Sequence, residues 1–238
     1  MTTEHKIHVI IVAAGTGQRF SGSQSEPANT LPKQYQKLGQ STLLGHSIAA
    51  FDHVKVNDIT VVLHPDDQHW TAQQPMPSKH RLTTTHGGSQ RHDSVRNGLK
   101  AIKPDAQDWV LVHDAARPCV TANEIKDLIT ACVAEQQGGL LVTPLTDTIK
   151  YSTDGSRVMK TVDRKPLYAA LTPQMFRCGD LLKALTVFEA DSITDEASAM
   201  EAQGHKPIMV MGQATNIKVT RHDDLALAAV ILQQQERL

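Results

Sequence analysis

Four charged residues stand where this chain turns or where an apolar run ends. Arg19 closes "AAGTGQRF", Lys33 lies in "LPKQY", and Asp114 and Arg117 follow the apolar stretch of "VLVHDAARP". In the first of these, Gly15 and Gly17 let backbone N–H groups come close to phosphate oxygens. Arg19 adds a permanently charged fork that matches phosphate. A dinucleotide fingerprint would need a third glycine where Phe20 stands, and an acidic ribose reader near Tyr35. A P-loop would need a lysine where Ser23 follows Gly22. Two readings of the loop remain: a wrap around a nucleoside triphosphate, or a tight turn with a solvated arginine.

Two further stretches point to the same chemistry. "GGSQRHDS" (87–94) is a glycine turn into a helix N-terminus, a place for an anion or a base edge. Asp114 ends a buried strand, where α/β sheets bind ligands. It is either a carboxylate for Mg²⁺ bridging triphosphate oxygens or a turn aspartate.

The elements that must position these groups follow from apolar patterning. "IHVIIVAA" (7–14), "DITVVLH" (58–64), "DWVLVHD" (108–114) and "GGLLVTP" (138–144) read as strands buried on both faces, with "RLTTT" (81–85) a weaker one. "STLLGHSIAAF" (41–51) and "SQRHDSVRNGLKAI" (89–102) have helical spacing, the second with Ser89 at its start. "TANEIKDLITACVAE" (121–135) adds a capping box of Thr121 and Glu124. Strands alternating with helices predict an α/β fold, a mainly parallel sheet with helices on both faces. The stretch 145–165 breaks the rhythm. Its two β-rich runs around Asp154 and Gly155 predict a hairpin arm that buries its apolar side against a second subunit. Beyond it come helices in "GDLLKALTVFEA", "TDEASAMEAQG" and "DDLALAAVILQQQ", and strands in "PIMVM" and "NIKVT". No linker divides the chain, so one domain over 1–238 with an inserted arm is expected.

Composition narrows the classes. The chain has 238 residues, 40% hydrophobic and 21% charged, with a formal net charge of −1. That fits a globular domain and argues against a nucleic-acid binder working by counterion release. The three cysteines, Cys119, Cys132 and Cys178, form no C-x-x-C pair. Cys119 reads as a small buried residue rather than a nucleophile. The twelve histidines lack zinc-site spacing. With no signal-type N-terminus and no long apolar run, a cytoplasmic protein that neither spans nor binds a membrane is expected.

Taken together, "AAGTGQRF", "PKQY", "GGSQRHDSV", "VHDAARP", "DTIK", "TVDR", "LTPQMF", "TDEASA" and "NIKVT" resemble the 2-C-methyl-D-erythritol 4-phosphate cytidylyltransferases of the non-mevalonate isoprenoid pathway. They occur in the family's order over nearly the whole chain. The resemblance implies a Rossmann-like, GT-A-like nucleotidyltransferase fold. It implies transfer of the cytidylyl group of CTP to the alditol phosphate, with release of pyrophosphate and Mg²⁺ as cofactor. It also implies a homodimer formed through the arm. Ala13, Ala14, Gly15, Gly17 and Ala115, with the loop of Gly87, Gly88, Ser89, Arg91 and Ser94, would hold the nucleotide. Arg19 and Lys33 would hold the triphosphate and stabilise the transition state, and Asp114 would take Mg²⁺. Arg117, Thr148, Thr172, Thr194 and Lys218 would line the substrate or α-phosphate site. Arg164 would reach the partner subunit's substrate. The chain departs from the family in a longer stretch, "SGSQSEPANTL", between Arg19 and Lys33. It also has Thr215 where an acidic residue is common, so no substrate contact is carried there. The alternatives are a cytidylyltransferase for another alditol phosphate such as ribitol 5-phosphate, and a non-catalytic nucleotide-binding regulator. A nicotinamide dehydrogenase is disfavoured by the absent third glycine.

Overall fold

Strands without polar alternation need cover on both faces, and the helices between them supply it. The computed structural model describes residues 5–15, 31–71, 78–187 and 193–238. The chain opens with β1 (Ile7–Ala13). A short 3₁₀ turn at Lys33–Tyr35 leads to the small ribbon β2 (Lys37–Leu38) and β3 (Ser41–Thr42). Then come α1 (Leu43–Ala49), β4 (Asp58–Leu63), β5 (Leu82–His86), α2 (Arg91–Ile102) and β6 (Trp109–Asp114). The second half runs α3 (Ala122–Glu135), β7 (Gly139–Pro144), β8 (Ile149–Tyr151), β9 (Lys160–Val162) and β10 (Tyr168–Arg177). It closes with α4 (Cys178–Val187), α5 (Glu196–Ala202), β11 (Ile208–Met211) and α6 (Asp223–Gln234).

Seven strands form one sheet in the order β11-β7-β10-β6-β1-β4-β5. Every pairing within it is parallel except those of β10, which runs antiparallel between β6 and β7. The expected α/β class and mainly parallel sheet are therefore found. Along β1, side chains alternate between two cores. Val9 and Ile11 join Leu44 and Ile48 of α1 and Ile125 and Leu128 of α3. Ile10 faces Val95 and Leu99 of α2 and Leu181 and Leu185 of α4. Helix α6 closes a smaller cluster, where Ala228, Ile231 and Leu232 meet Leu38, Leu43 and Val219. The chain turns from β4 and β5 on one side of β1 to β6 on the other, so a topological switch point opens at the carboxyl ends of β1 and β6.

Three details differ from the sequence expectations. Residues 216–220 are not a strand. Asn216 donates its amide to the Thr172 carbonyl, and Val219 N–H bonds to Ala116 O at 2.8 Å. These local partners take the place of a ladder. Gln90, not Ser89, caps α2, because Asp93 closes a capping box with it while Ser89 Oγ donates to the Asp93 carboxylate. β10 is a ten-residue strand that apolar patterning did not single out, since Pro173 argues against a central strand. The register shifts between Ala170 and Gln174, so Pro173 lies where no ladder N–H is needed.

The arm is a separate ribbon in which β8 pairs antiparallel with β9. Gly155 takes a positive φ of 69° in the connection, and Asp154 Oδ1 accepts from the N–H groups of Ser156 and Arg157 at 2.9 and 3.1 Å. Tyr151, Val158 and Met159 are exposed along it.

At the opposite end of the sheet from the switch point, His8 bridges two strand starts. Its Nδ1 lies 3.0 Å from both Asp58 oxygens and its Nε2 3.4 Å from Asp108 Oδ2. Burial works against a charged ring, but Asp58 and Asp108 outweigh it and raise the His8 pKa. A pKa raised on folding stabilises fully below the unfolded value, about 6.5, and that contribution fades as pH rises through the folded value. The difference in Tm between the wild type and His8→Gln is therefore expected to be widest near about pH 6 and to narrow toward about pH 9. A gap that does not change with pH would show that His8 is neutral in the fold.

Candidate functional site

A cleft of about 460 Å³ lies at the switch point. Its floor is the carboxyl end of β1 with Ala13, Ala14 and Gly15, and the end of β6 with Asp114 and Ala115. One wall is the turn before α2, with Gly88, Ser89 and Gln90, and the first turn of α2, with Arg91 and Ser94. The other brings in Lys33, Gln34, Lys218 and Thr220. Of the ionised side chains lining it, Lys33, Arg91 and Lys218 are cations and Asp114 is the anion, a balance that favours a polyanionic ligand.

The turn before α2 depends on the smallness of its glycines. A Cβ on Gly87 would come within 2.5 Å of Ala14 Cβ, and one on Gly88 within 2.3 Å of Asp93 Cβ. The first contact holds the turn against the end of β1. Gly87 N–H bonds to Leu63 O at 2.7 Å, and Gly88 N–H to Ser94 Oγ at 3.2 Å. On the other wall, Gln34 Nε2 donates to Ala13 O at 2.9 Å and ties the "PKQY" turn to β1. Lys33 Nζ donates to Val219 O at 2.8 Å, beside Lys218 in sequence.

Asp114 is the centre of a charge network. Arg91 Nε donates to its Oδ1 at 3.1 Å, and Lys218 Nζ lies 2.7 Å from its Oδ2. Burial alone would raise its pKa, but Arg91, Lys218 and Arg117 outweigh that and hold the carboxyl far below the usual carboxylate range. Arg91 is gripped from its other side by Glu196, with Nη1–Oε1 at 2.6 Å and Nη2–Oε2 at 3.0 Å. Glu196 is fully buried at the first turn of α5.

A neutral relay fixes the backbone of Asp114. The Asp114 N–H bonds to Thr172 Oγ1 at 3.1 Å, and that hydroxyl lies 3.0 Å from His113 Nδ1. The His113 Nε2 lies 3.1 Å from the Arg117 carbonyl, which can only accept. The proton is thus on Nε2, and Thr172 donates to Nδ1. Burial lowers the His113 pKa to about 4, consistent with a neutral ring. Arg117 itself donates to Asn216 O at 2.7 Å.

The same fold recurs in known proteins. The family model "IspD: 2-C-methyl-D-erythritol 4-phosphate cytidylyltransferase" matches residues 7–234. The chain belongs to this family. A 2-C-methyl-D-erythritol 4-phosphate cytidylyltransferase of Tolumonas auensis is 44% identical over 230 residues, covering 95% of this chain and 96% of that relative. One of Hahella chejuensis is 42% identical over 238 residues, covering 97% and 95%. A crystal structure described as 4-diphosphocytidyl-2C-methyl-D-erythritol synthase superposes with a TM-score of 0.80 at 33% identity, covering 96% of this chain and all of that one. The Francisella tularensis 2-C-methyl-D-erythritol 4-phosphate cytidylyltransferase (IspD) gives 0.79 at 35%, covering 95% and 100%.

Of the positions that resemblance to the cytidylyltransferases singled out, the cleft gathers Ala13, Ala14, Gly15, Lys33, Gly88, Ser89, Arg91, Ser94, Asp114, Ala115 and Lys218. Gly87 shapes the turn from behind. Gly17 and Arg19 lie outside the described residues. Thr172 is buried, its hydroxyl committed to Asp114 and His113. Thr148 is exposed at the root of the arm, and Thr194 is exposed just before α5, its N–H on Ser198 Oγ at 3.0 Å. Arg164 is exposed after β9 and donates to the Thr146 carbonyl. Sequence reasoning missed Glu196, His113, Gln34, His64 and Thr220. Glu196 stood inside the quoted "TDEASA", but its partner Arg91 is 105 residues away. The cysteines are buried, and burial pushes the Cys119 thiol up to about 11.

Thr172→Val keeps the side-chain shape but leaves the buried Asp114 N–H without an acceptor. It is expected to lower unfolding stability by about 1–3 kcal/mol in urea titrations. Unchanged stability would mean that the relay contributes nothing.

Proposed function

We propose that this chain transfers the cytidylyl group of CTP to 2-C-methyl-D-erythritol 4-phosphate, giving 4-diphosphocytidyl-2-C-methyl-D-erythritol and pyrophosphate in non-mevalonate isoprenoid biosynthesis. The observation that carries the reading is the cleft at the switch point, where Arg91 and Lys218 hold Asp114 and Lys33 lines the same wall as Lys218, in a chain of this family.

The nucleophile in this reaction is a phosphate oxygen that is already anionic, so no general base is needed. The barrier lies in bringing a phosphate dianion to a triphosphate. Two unit charges about 4 Å apart repel by roughly 4 kcal/mol at an effective dielectric near 20. Cations must offset that repulsion at the α-phosphate and at the departing pyrophosphate. Catalysis is then positioning and electrostatics. Lys33 and Arg19 take the triphosphate, and Lys218 takes the α-phosphate and the incoming phosphate. The turn of Gly87, Gly88, Ser89, Arg91 and Ser94, with Ala13, Ala14, Gly15, Gly17 and Ala115, holds base and ribose. Arg117, Thr148 and Thr194 face the alditol phosphate, and Thr172 acts from beneath through Asp114.

The donor set fits Mg²⁺ arriving with the nucleotide. Among the described residues no group of three or more His, Cys, Asp or Glu side chains could hold a resident metal. Asp114 is a single ionised carboxylate in the cleft, and Mg²⁺ is often held by one or two carboxylates plus substrate phosphates. The ion supplies charge neutralisation on the triphosphate; the protein's part is to present Asp114 at the cleft floor.

In this reading residues 1–238 act as one domain in the cytoplasm, and the arm pairs with a second copy. The exposed Tyr151, Val158 and Met159 support that role, and Arg164 would act in the partner's site.

Pyrophosphate release with CTP and Mg²⁺ is expected with methylerythritol phosphate and to be much weaker with ribitol 5-phosphate. Preference for ribitol 5-phosphate, or no turnover with either, would overturn the assignment. Lys218→Ala and Arg19→Ala are each expected to lower kcat by about 10²-fold or more, by analogy with loss of one oxyanion donor. Arg164→Ala should raise the alditol phosphate KM while leaving CTP binding nearly intact. Lost CTP binding with a normal alditol phosphate KM would contradict its role.

A further inference from the structure

Glu196 does not line the cleft, yet it makes the closest contact in the network around Asp114. It is fully buried and binds Arg91 through both oxygens, at 2.6 and 3.0 Å. The same guanidinium reaches Asp114 through Nε at 3.1 Å. The place of Glu196 is fixed by several bonds. Gln174 Oε1 accepts from Ala197 N–H at 2.8 Å, and Gln174 Nε2 donates to Asp195 Oδ2 at 2.8 Å. Asp195 caps α5, accepting from Ser198 N–H at 2.9 Å. The start of α5 is thereby bolted to β10 next to Thr172, the residue that holds the Asp114 backbone.

This arrangement has an electrostatic effect at the cleft. Asp114 faces Arg91 and Lys218 directly, so two cations compete for one carboxylate. A divalent cation joining Asp114 must tolerate both. Burial raises the Glu196 pKa and Arg91 works against that rise. Paired through both oxygens, the Glu196 carboxylate faces Arg91 from outside the cleft and so returns to Asp114 much of the charge that Arg91 would cancel. We infer that Glu196 is a positioning residue that keeps Asp114 receptive to a divalent cation by holding and neutralising Arg91. The inference rests on reading Asp114 as the metal carboxylate. It predicts a change in the preference for metal-loaded over metal-free nucleotide, because an uncompensated Arg91 repels the ion while attracting bare triphosphate.

The test is calorimetry of CTP binding to the full chain in Mn²⁺ and, separately, in EDTA. The readout is the ratio of the two affinities. Glu196→Gln keeps the side-chain shape and removes the charge. It is expected to lower that ratio by about tenfold, the order expected for one partly screened unit charge at the cleft wall. kcat should recover to within about twofold of wild type at saturating Mg²⁺. Equal losses in Mn²⁺ and in EDTA, leaving the ratio unchanged, would mean that Glu196 only supports the fold and would overturn the inference. The pair Arg91→Met with Glu196→Met removes both charges together, so folding does not depend on an orphaned buried charge. Its ratio is expected within about threefold of wild type, and a tenfold fall there would also overturn the inference. Asp114→Asn separates the two levels of the argument. If it leaves the ratio at its wild-type value, the metal reading of Asp114 fails. If it abolishes the preference while Glu196→Gln does not move it, the role of Glu196 alone fails.

Discussion

A carboxylate held almost wholly out of water at the end of a central strand must be paired, because an isolated buried charge would neutralise itself instead. Asp114 is 7% exposed, and the surrounding structure compensates its charge. Arg91 reaches it from the start of α2, Lys218 from the irregular stretch after β11, and Thr172 from β10. These three come from segments that do not adjoin in the chain. The sheet order is what brings them together, since β6 lies beside both β1 and β10. If Asp114 were neutral, both cations would lose their shared anchor and the two walls of the cleft would lose their link.

The network also explains why the cleft suits a reaction in which anion meets anion. Cations that serve this chemistry repel one another, so they need a fixed anion between them when no ligand is bound. Asp114 spaces Arg91 and Lys218, and Glu196 takes up the rest of the Arg91 fork. Lys33 leans on the Val219 carbonyl, one residue from Lys218. The donors are thus preorganised by fixed partners rather than by the ligand. Less reorganisation is then needed as charge develops.

The parallel strands other than β5 were legible in the sequence because each is a near-continuous apolar run, and α3 because its capping box and 3.6-residue spacing agree. β10 was not legible in the same way. It carries Pro173 and starts with polar or small residues, and its place in the sheet is decided by the bulge rather than by its pattern. "NIKVT" misled in the opposite sense. Ile217 and Val219 alternate with polar residues as a half-buried strand would, yet the segment is held by Asn216 on Thr172 and by Val219 on Ala116. Within the site, Gly15, Gly88, Ser89 and Asp114 were legible because each sits at a strand end or a glycine turn, whereas Lys218 followed only from the family resemblance and the cleft-lining Gln34, His64 and Thr220 were missed. So was Glu196. An acidic residue in the first turn of a helix is ordinarily a solvated dipole partner, and only the fold reveals that it faces Arg91. Thr172 was singled out, but as a wall of the ligand site. Its hydroxyl is in fact spent inside the protein.

The bulge in β10 has a further consequence. An antiparallel strand in a parallel sheet runs its carboxyl end away from the cleft, so it can serve the site only from its middle. Between Ala170 and Gln174 the ladder lapses, and there the Thr172 hydroxyl and carbonyl are released to Asp114 and Asn216. Sliding the strand by one residue would turn Thr172 to the opposite face. It would also strip Gln174 from the start of α5. The site thus acts as the registration mark of the sheet: β10 cannot be threaded one residue out of place without dismantling the binding cleft in the same step.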